Sequence, residues 1–195
     1  MNGNNATAYN LTQHTPDTVF KVAVLGAEST GKTTLCRDLA AHFDCPWVPE
    51  YMRLYLQEKW DKSGQTCTWE DLLPIAQGQI ALENKLALES AQSENKYLFC
   101  DTSLFELMIY ANWYYGDCPE ALTQAALAHR YDLILLTKVD IPWVADDLRD
   151  SPNGRDAISK RFEEQLNHYN KPFQSIGGDK EQRIQQVTML LKTLD

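Results

Sequence analysis

Gly26-Ala27-Glu28-Ser29-Thr30-Gly31-Lys32-Thr33 is a full match to the pattern G-x-x-x-x-G-K-[ST]. It follows residues 18–25 (TVFKVAVL), a β-branched run that is nearly continuously apolar at its end, and precedes a stretch with Leu35, Leu39 and Phe43 on one helical side. The order strand, glycine loop, helix is the context this motif needs. The glycines let successive backbone N–H groups turn inward around an anion, and the helix opening at Lys32 adds its positive dipole end. Lys32 then reaches β/γ phosphates and the Thr33 hydroxyl can ligate Mg²⁺. Residues Gly26, Ala27, Glu28, Ser29, Thr30, Gly31, Lys32, Thr33 and Thr34 are accordingly the expected binding residues for a nucleoside triphosphate, a P-loop.

Outward from the motif, further buried strands read at 97–100 (YLFC) and 133–136 (LILL), with short extended pieces at 47–49 and 173–176. Helices read from near Asp71 with Pro74 in the first turn, over 103–115 up to Gly116, and from Pro119 to near His129. Others run through Ile158, Phe162 and Leu166, and through Ile184, Val187, Leu191 and Leu194. Strands alternating with helices imply parallel pairing and right-handed crossovers. The expected fold is α/β, a three-layer P-loop NTPase with a mostly parallel five-stranded sheet, its ligands at the carboxyl ends of the strands.

The 195 residues suit one domain, placed at 18–195, with 1–17 read as a disordered or loosely attached, Asn- and Thr-rich extension. With 18 basic against 27 acidic residues the net charge is −9. Such a chain mostly repels a polyanion, so nucleic acid is not an expected partner. No run approaches a membrane span and no signal pattern opens the chain, and five cysteines without a CxxC pair read as reduced thiols. The expected location is cytoplasmic.

The residues after each strand carry the chemistry. Asp101 ends an apolar strand and is positioned to hold Mg²⁺, although it can also cap the following helix. Glu50, after Val48-Pro49, can take a proton from an attacking hydroxyl, or pair with Arg53 on the surface. The choice of base between Glu50 and Asp101 is open. Thr137-Lys138-Val139-Asp140 is how a GTPase would read guanine. Against a GTP switch, Asp101 is not followed by x-x-G, and no S-A-K-like segment follows the last strand. Arg149 and Arg155, in a segment around 142–156 rich in Ser, Pro, Asn and Gly, suit a lid that closes on phosphates or a solvated loop. Gln79 is the one polar member of the stripe Leu72, Ile75, Gln79, Leu82, Leu86. It needs partners in the backbone or in a substrate. Gly178 and Arg183, after the last strand, suit an adenine-holding loop, or simply a turn capped by Asp179.

Together GAESTGKTT, WVPEYMR, IAQGQ, FCDTS and YDLILLTKVDIPWVADDLR with the following Arg155 resemble the ribosylnicotinamide kinase domain of the NadR family, a P-loop/AAA-type ATPase group, over residues 20–187. The segment PWVADxLR is the most specific part, and Asp147 stands where the family pattern has Gly. The resemblance implies ATP-dependent phosphorylation of the 5′-hydroxyl of nicotinamide riboside to nicotinamide mononucleotide in NAD salvage, by a stand-alone kinase domain. It implies ATP and Mg²⁺ as cofactors, held by 26–33. Asp101 matches the acid of the strand, and Arg149 and Arg155 match lid arginines. Related deoxynucleoside kinases place a base at a Pro-Glu strand end like that of Glu50. On the substrate side stand Glu50, Tyr51, Arg53, Gln79, Trp143 and Asp146. An aromatic face stacked on the pyridinium cation gains about 0.5–2 kcal/mol, although Trp143 can equally anchor a hinge. A kinase for another nucleoside or a nucleoside monophosphate, a GTP switch, and a non-catalytic nucleotide-binding regulator are the alternatives.

Overall fold

The computed structural model describes residues 9–94, 96–142 and 154–194. Among them run β1 (Phe20–Leu25), α1 (Lys32–Phe43), β2 (Trp47–Val48), α2 (Tyr51–Ser63), a 3₁₀ turn (Trp69–Asp71) and α3 (Leu72–Ser90). Then come β3 (Tyr97–Asp101), α4 (Leu104–Tyr115), α5 (Glu120–Ala128), β4 (Leu133–Thr137), α6 (Arg155–His168), β5 (Gln174–Ile176) and α7 (Lys180–Leu194). The strands form one sheet in the order β2-β3-β1-β4-β5, and every pairing is parallel. This is the expected three-layer P-loop fold.

Alternation along β1 builds the layers. Val22 and Val24 pack with Leu35 and Leu39 of α1 and Val187 and Leu191 of α7. Ala23 and Leu25 face the other way, onto Ile75 and Ile80 of α3, Leu104 and Met108 of α4, and Phe162 of α6. Both faces are buried, which is why the central strands read as unbroken apolar runs.

Helix α2 has no counterpart in the sequence reading. Only Leu56 of its thirteen residues is buried, so it carries no apolar stripe. The expectation for 1–17 changes in its described part. Asn84 accepts from His14 N–H (2.7 Å) and donates to the Thr12 carbonyl (2.9 Å). Leu11 is buried, with its carbonyl 2.8 Å from His129 Nε2. Lys21, only 1% exposed, pairs with Glu83 at 2.7 Å and donates to Thr15 Oγ1 at 2.8 Å. Residues 9–17 are thus fastened by polar contacts that composition does not reveal; residues 1–8 lie outside the described ones. All five cysteines are free; Cys36 and Cys100 are buried, and burial pushes both thiols well up. Among the described residues no helix is long and apolar enough to cross a membrane.

Candidate active site

β1 ends at Gly26, whose φ of +147° and missing Cβ let the chain turn under Thr137; a Cβ there would stand 2.3 Å from Thr137 Oγ1. Thr137 Oγ1 donates to the Leu25 carbonyl (3.1 Å) and shares a 2.7 Å hydrogen bond with Thr30 Oγ1, which also reaches the Ala27 carbonyl. Ala27 and Thr30 are therefore turned into the protein. Glu28, Ser29, Thr30, Gly31, Lys32, Thr33 and Thr34 border a cleft of about 610 Å³.

Lys32 Nζ lies back on the loop, donating to the carbonyls of Gly26 (2.8 Å) and Ala27 (3.2 Å) and pairing with Glu106 Oε1 at 3.1 Å. Burial works to lower its pKa, but the surrounding carboxylates, Glu106 foremost, outweigh burial and raise it. Glu106 was missed from sequence. It stands three residues after the helix cap Ser103, a spacing that reads as a capping box. The Ser103 side chain does accept from Phe105 N–H, but Glu106 reaches the P-loop instead, where Oε2 accepts from Gly26 N–H at 3.1 Å. Burial, reinforced by Glu50 and Asp101 and opposed by Lys32, pushes the Glu106 carboxyl up to about 8.

Thr33 Oγ1 donates to Asp101 Oδ2 at 2.5 Å, joining the first turn of α1 to the end of β3. Asp101 is fully buried and its other oxygen, Oδ1, has no partner. Burial and the charge of Glu50 push this carboxyl up to about 6, against the pull of Lys32 and Thr33. The Thr33 hydroxyl and the Asp101 carboxylate, one of whose oxygens is buried without a partner, make a donor set that suits a hard divalent cation. Among the described residues no group of three His, Cys, Asp or Glu converges on a metal position. Such an ion would complete its shell with phosphate and water.

Glu50 precedes α2 at the end of β2 and lines the cleft together with Met52, Arg53, Leu56, Leu107 and Tyr110. Arg53 Nε lies 4.0 Å from Glu50 Oε2, a loose pair between partly exposed groups. Tyr110, Tyr114 and Tyr115 line the same cleft.

The sequence matches the model of a family described as AAA domain over residues 21–183. The chain belongs to this AAA domain family. The trifunctional NAD biosynthesis/regulator protein NadR of Salmonella typhimurium is 32% identical over 168 residues, 85% of this chain and 40% of that protein. A solved structure of NadR protein in complex with NR matches with a TM-score of 0.69 at 21% identity, covering 90% of this chain and 49% of that one. A thymidylate kinase from Ehrlichia chaffeensis matches at 0.61 and 13% identity, covering 89% and 98%. This AAA domain thus spans less than half the length of the NadR proteins it matches. The structural matches share its fold.

Three sequence expectations within the domain take a different form. Tyr51 is not among the cleft-lining residues; its ring lies on α3, where a Cβ on Gly78 would stand 2.0 Å away. Its backbone N–H donates to Gln79 Oε1 at 2.8 Å, so Gln79 serves the start of α2 with one end of its amide. Arg183 is buried and donates to Thr30 O (2.6 Å), Gly178 O (2.9 Å) and Asp140 Oδ1. Gly178 N–H donates to Asp140 Oδ2 (2.6 Å). These contacts tie Gly178 and Arg183 to Asp140 and to the P-loop carbonyl of Thr30. Arg155 lies at the rim, donating to the carbonyls of Ser29 and Ile141 at 3.2 Å each. Arg149, Trp143 and Asp146 lie outside the described residues.

Proposed function

We propose that this AAA domain is a P-loop kinase that transfers the γ-phosphoryl group of ATP to the 5′-hydroxyl of a nucleoside, with nicotinamide riboside the favoured acceptor. The observation that carries the reading is that Lys32 and Thr33, Glu50, and Tyr110, Tyr114 and Tyr115 line one cleft. A donor phosphate at the P-loop and an acceptor hydroxyl at Glu50 would then meet within it.

The lining favours a nucleoside over a nucleoside monophosphate. On the acceptor side the described lining holds the Glu50 carboxylate and a single cation, Arg53, itself beside Glu50, while Glu106 is engaged by Lys32 and Gly26 N–H at the P-loop. A second phosphate there would meet, in the described lining, only a cation already beside a carboxylate, whereas a pyridinium ring would meet the Glu50 carboxylate and aromatic faces. The 32% identity to NadR supports the same choice.

In this reading Lys32 binds the β/γ phosphates and Glu50 accepts the proton of the hydroxyl. Thr33 and Asp101 would hold Mg²⁺, which neutralises phosphate charge when bound. Arg155 and Arg149 are taken as lid arginines, and cytoplasmic NAD salvage as the setting. The test is a panel of nucleosides and nucleoside monophosphates with Mg·ATP, following product formation. Nicotinamide riboside is expected to be turned over and Lys32→Ala to abolish turnover. Preferred turnover of a monophosphate would overturn the acceptor assignment.

A further inference from the structure

Sharing Glu50, Glu106 and Tyr110 with the main cleft is a second cavity of about 20 Å³, also lined by Gln79 and Ser103 with apolar neighbours. A single water occupies roughly 10–15 Å³ of such space, so the cavity admits one oxygen-sized group. Two of the polar atoms belonging to its lining residues are buried without a hydrogen bond: Gln79 Nε2 and Tyr110 OH. Gln79 is only 3% exposed, and because its Oε1 is spent on Tyr51 N–H the amide cannot turn round to hide its donor. The Tyr110 ring is fixed as well, stacked on Tyr114 (6.1 Å, 14°) and edge-on to Phe162 (5.8 Å, 72°).

An occupant of this largely apolar cavity that satisfies the Gln79 amide donor and the Tyr110 phenol beside Glu50 has to accept and donate through one atom. A hydroxyl does both. An anion would be repelled by Glu50, and an apolar group would leave the buried donor orphaned, which costs about 1–3 kcal/mol. Glu50 borders both cavities. A furanose whose 5′-oxygen approaches Glu50 has its ring hydroxyls within a few ångströms of the same carboxylate.

We propose that this small cavity receives one ring hydroxyl of the acceptor sugar, so that the protein selects ribonucleosides over analogues lacking the 2′- or the 3′-hydroxyl. The inference rests on the reading of the cleft as a nucleoside site and adds the sugar to it.

The experiment is calorimetric binding, without ATP, of nicotinamide riboside and adenosine and of their 2′- and 3′-deoxy analogues. It is run on the natural protein, Tyr110→Phe and Gln79→Leu. For the parent nucleoside that binds, one of its two deoxy analogues is expected to bind at least about 100-fold more weakly, because a site built around a hydroxyl rejects the molecule lacking it. Both variants should weaken the parent and leave that analogue unchanged. Tyr110→Phe should keep the natural melting temperature, since its hydroxyl has no partner in the protein. Equal binding of parent and both analogues would mean a resident water only and overturn the proposal. So would equal weakening of parent and analogue in both variants. Hydroxyl-dependent binding without phosphoryl transfer would sink the kinase reading alone. Phosphoryl transfer without hydroxyl dependence would sink the sugar site alone.

Discussion

Arg183 Nη2 and Asp140 Oδ1 form an ion pair directly behind the P-loop, and the other oxygen of Asp140 accepts from Gly178 N–H. The exposed acid of Thr137-Lys138-Val139-Asp140 is therefore engaged by Arg183 and Gly178, and the hydroxyl of Thr137 is spent on Leu25 and Thr30. A guanine reader needs that carboxylate facing the base. The motif here braces three loops instead, and the GTP-switch reading loses its one supporting feature.

Asp140→Asn is accordingly expected to leave the ATP-to-GTP preference unchanged while weakening the brace. Hydrogen bonds to charged groups contribute about 1.5–3 kcal/mol, and a loss of that order should appear in urea unfolding. A strong GTP preference abolished by this substitution would restore the switch.

The apo protein should lose stability as pH rises from about 4.5 to about 8. Glu106 sits at about 8 in the folded chain against an ordinary 4.5, because its charged form is buried. Between those values the folded state binds more protons than the unfolded one, so unfolding free energy falls with rising pH. Asp101, raised to about 6 from 3.8, acts in the same sense at lower pH. The contribution is complete below the unfolded values and gone above the folded ones. Melting temperature against pH, without nucleotide, should slope downward, and Glu106→Gln should flatten the part above pH 6. An unchanged slope in that variant would remove Glu106 from the account.

The central strands, the P-loop and Asp101 were legible because each has a local signal: unbroken apolar runs, a fixed eight-residue pattern, and an acid closing a strand. What escaped depends on distant partners. Glu106 carries a helix-capping spacing, and only the fold brings it to Gly26 and Lys32. α2 buries a single residue and so has no stripe to read. Tyr51 stands next to Glu50 in sequence, yet its side chain packs on Gly78 and leaves the cleft to others.

Lys21→Met should destabilise the protein by about 3–5 kcal/mol, since it leaves Glu83 buried without its cation. Lys21 stands at the beginning of β1, whereas the P-loop follows its end, so ATP affinity should be unchanged. The double variant Lys21→Met/Glu83→Leu is expected to recover part of the loss in urea unfolding, because the uncompensated charge is gone. If the double is no more stable than the single, packing rather than the ion pair dominates there.

Glu50→Gln separates the two carboxylates at the candidate reaction centre. General-base catalysis contributes about 10²–10⁴-fold, so a loss of kcat in that range with preserved ATP affinity is expected if Glu50 takes the proton. Glutamine keeps the shape beside Arg53 and removes the charge that helps hold the Asp101 carboxyl up near 6. Asp101 should therefore become easier to ionise, which favours its cation role. Apparent Mg²⁺ affinity, read from the metal dependence of ATP binding, should stay the same or tighten as kcat falls. A kcat within a few-fold of the natural protein would instead move the base to Asp101, whose buried Oδ1 is then the atom to test with Asp101→Asn.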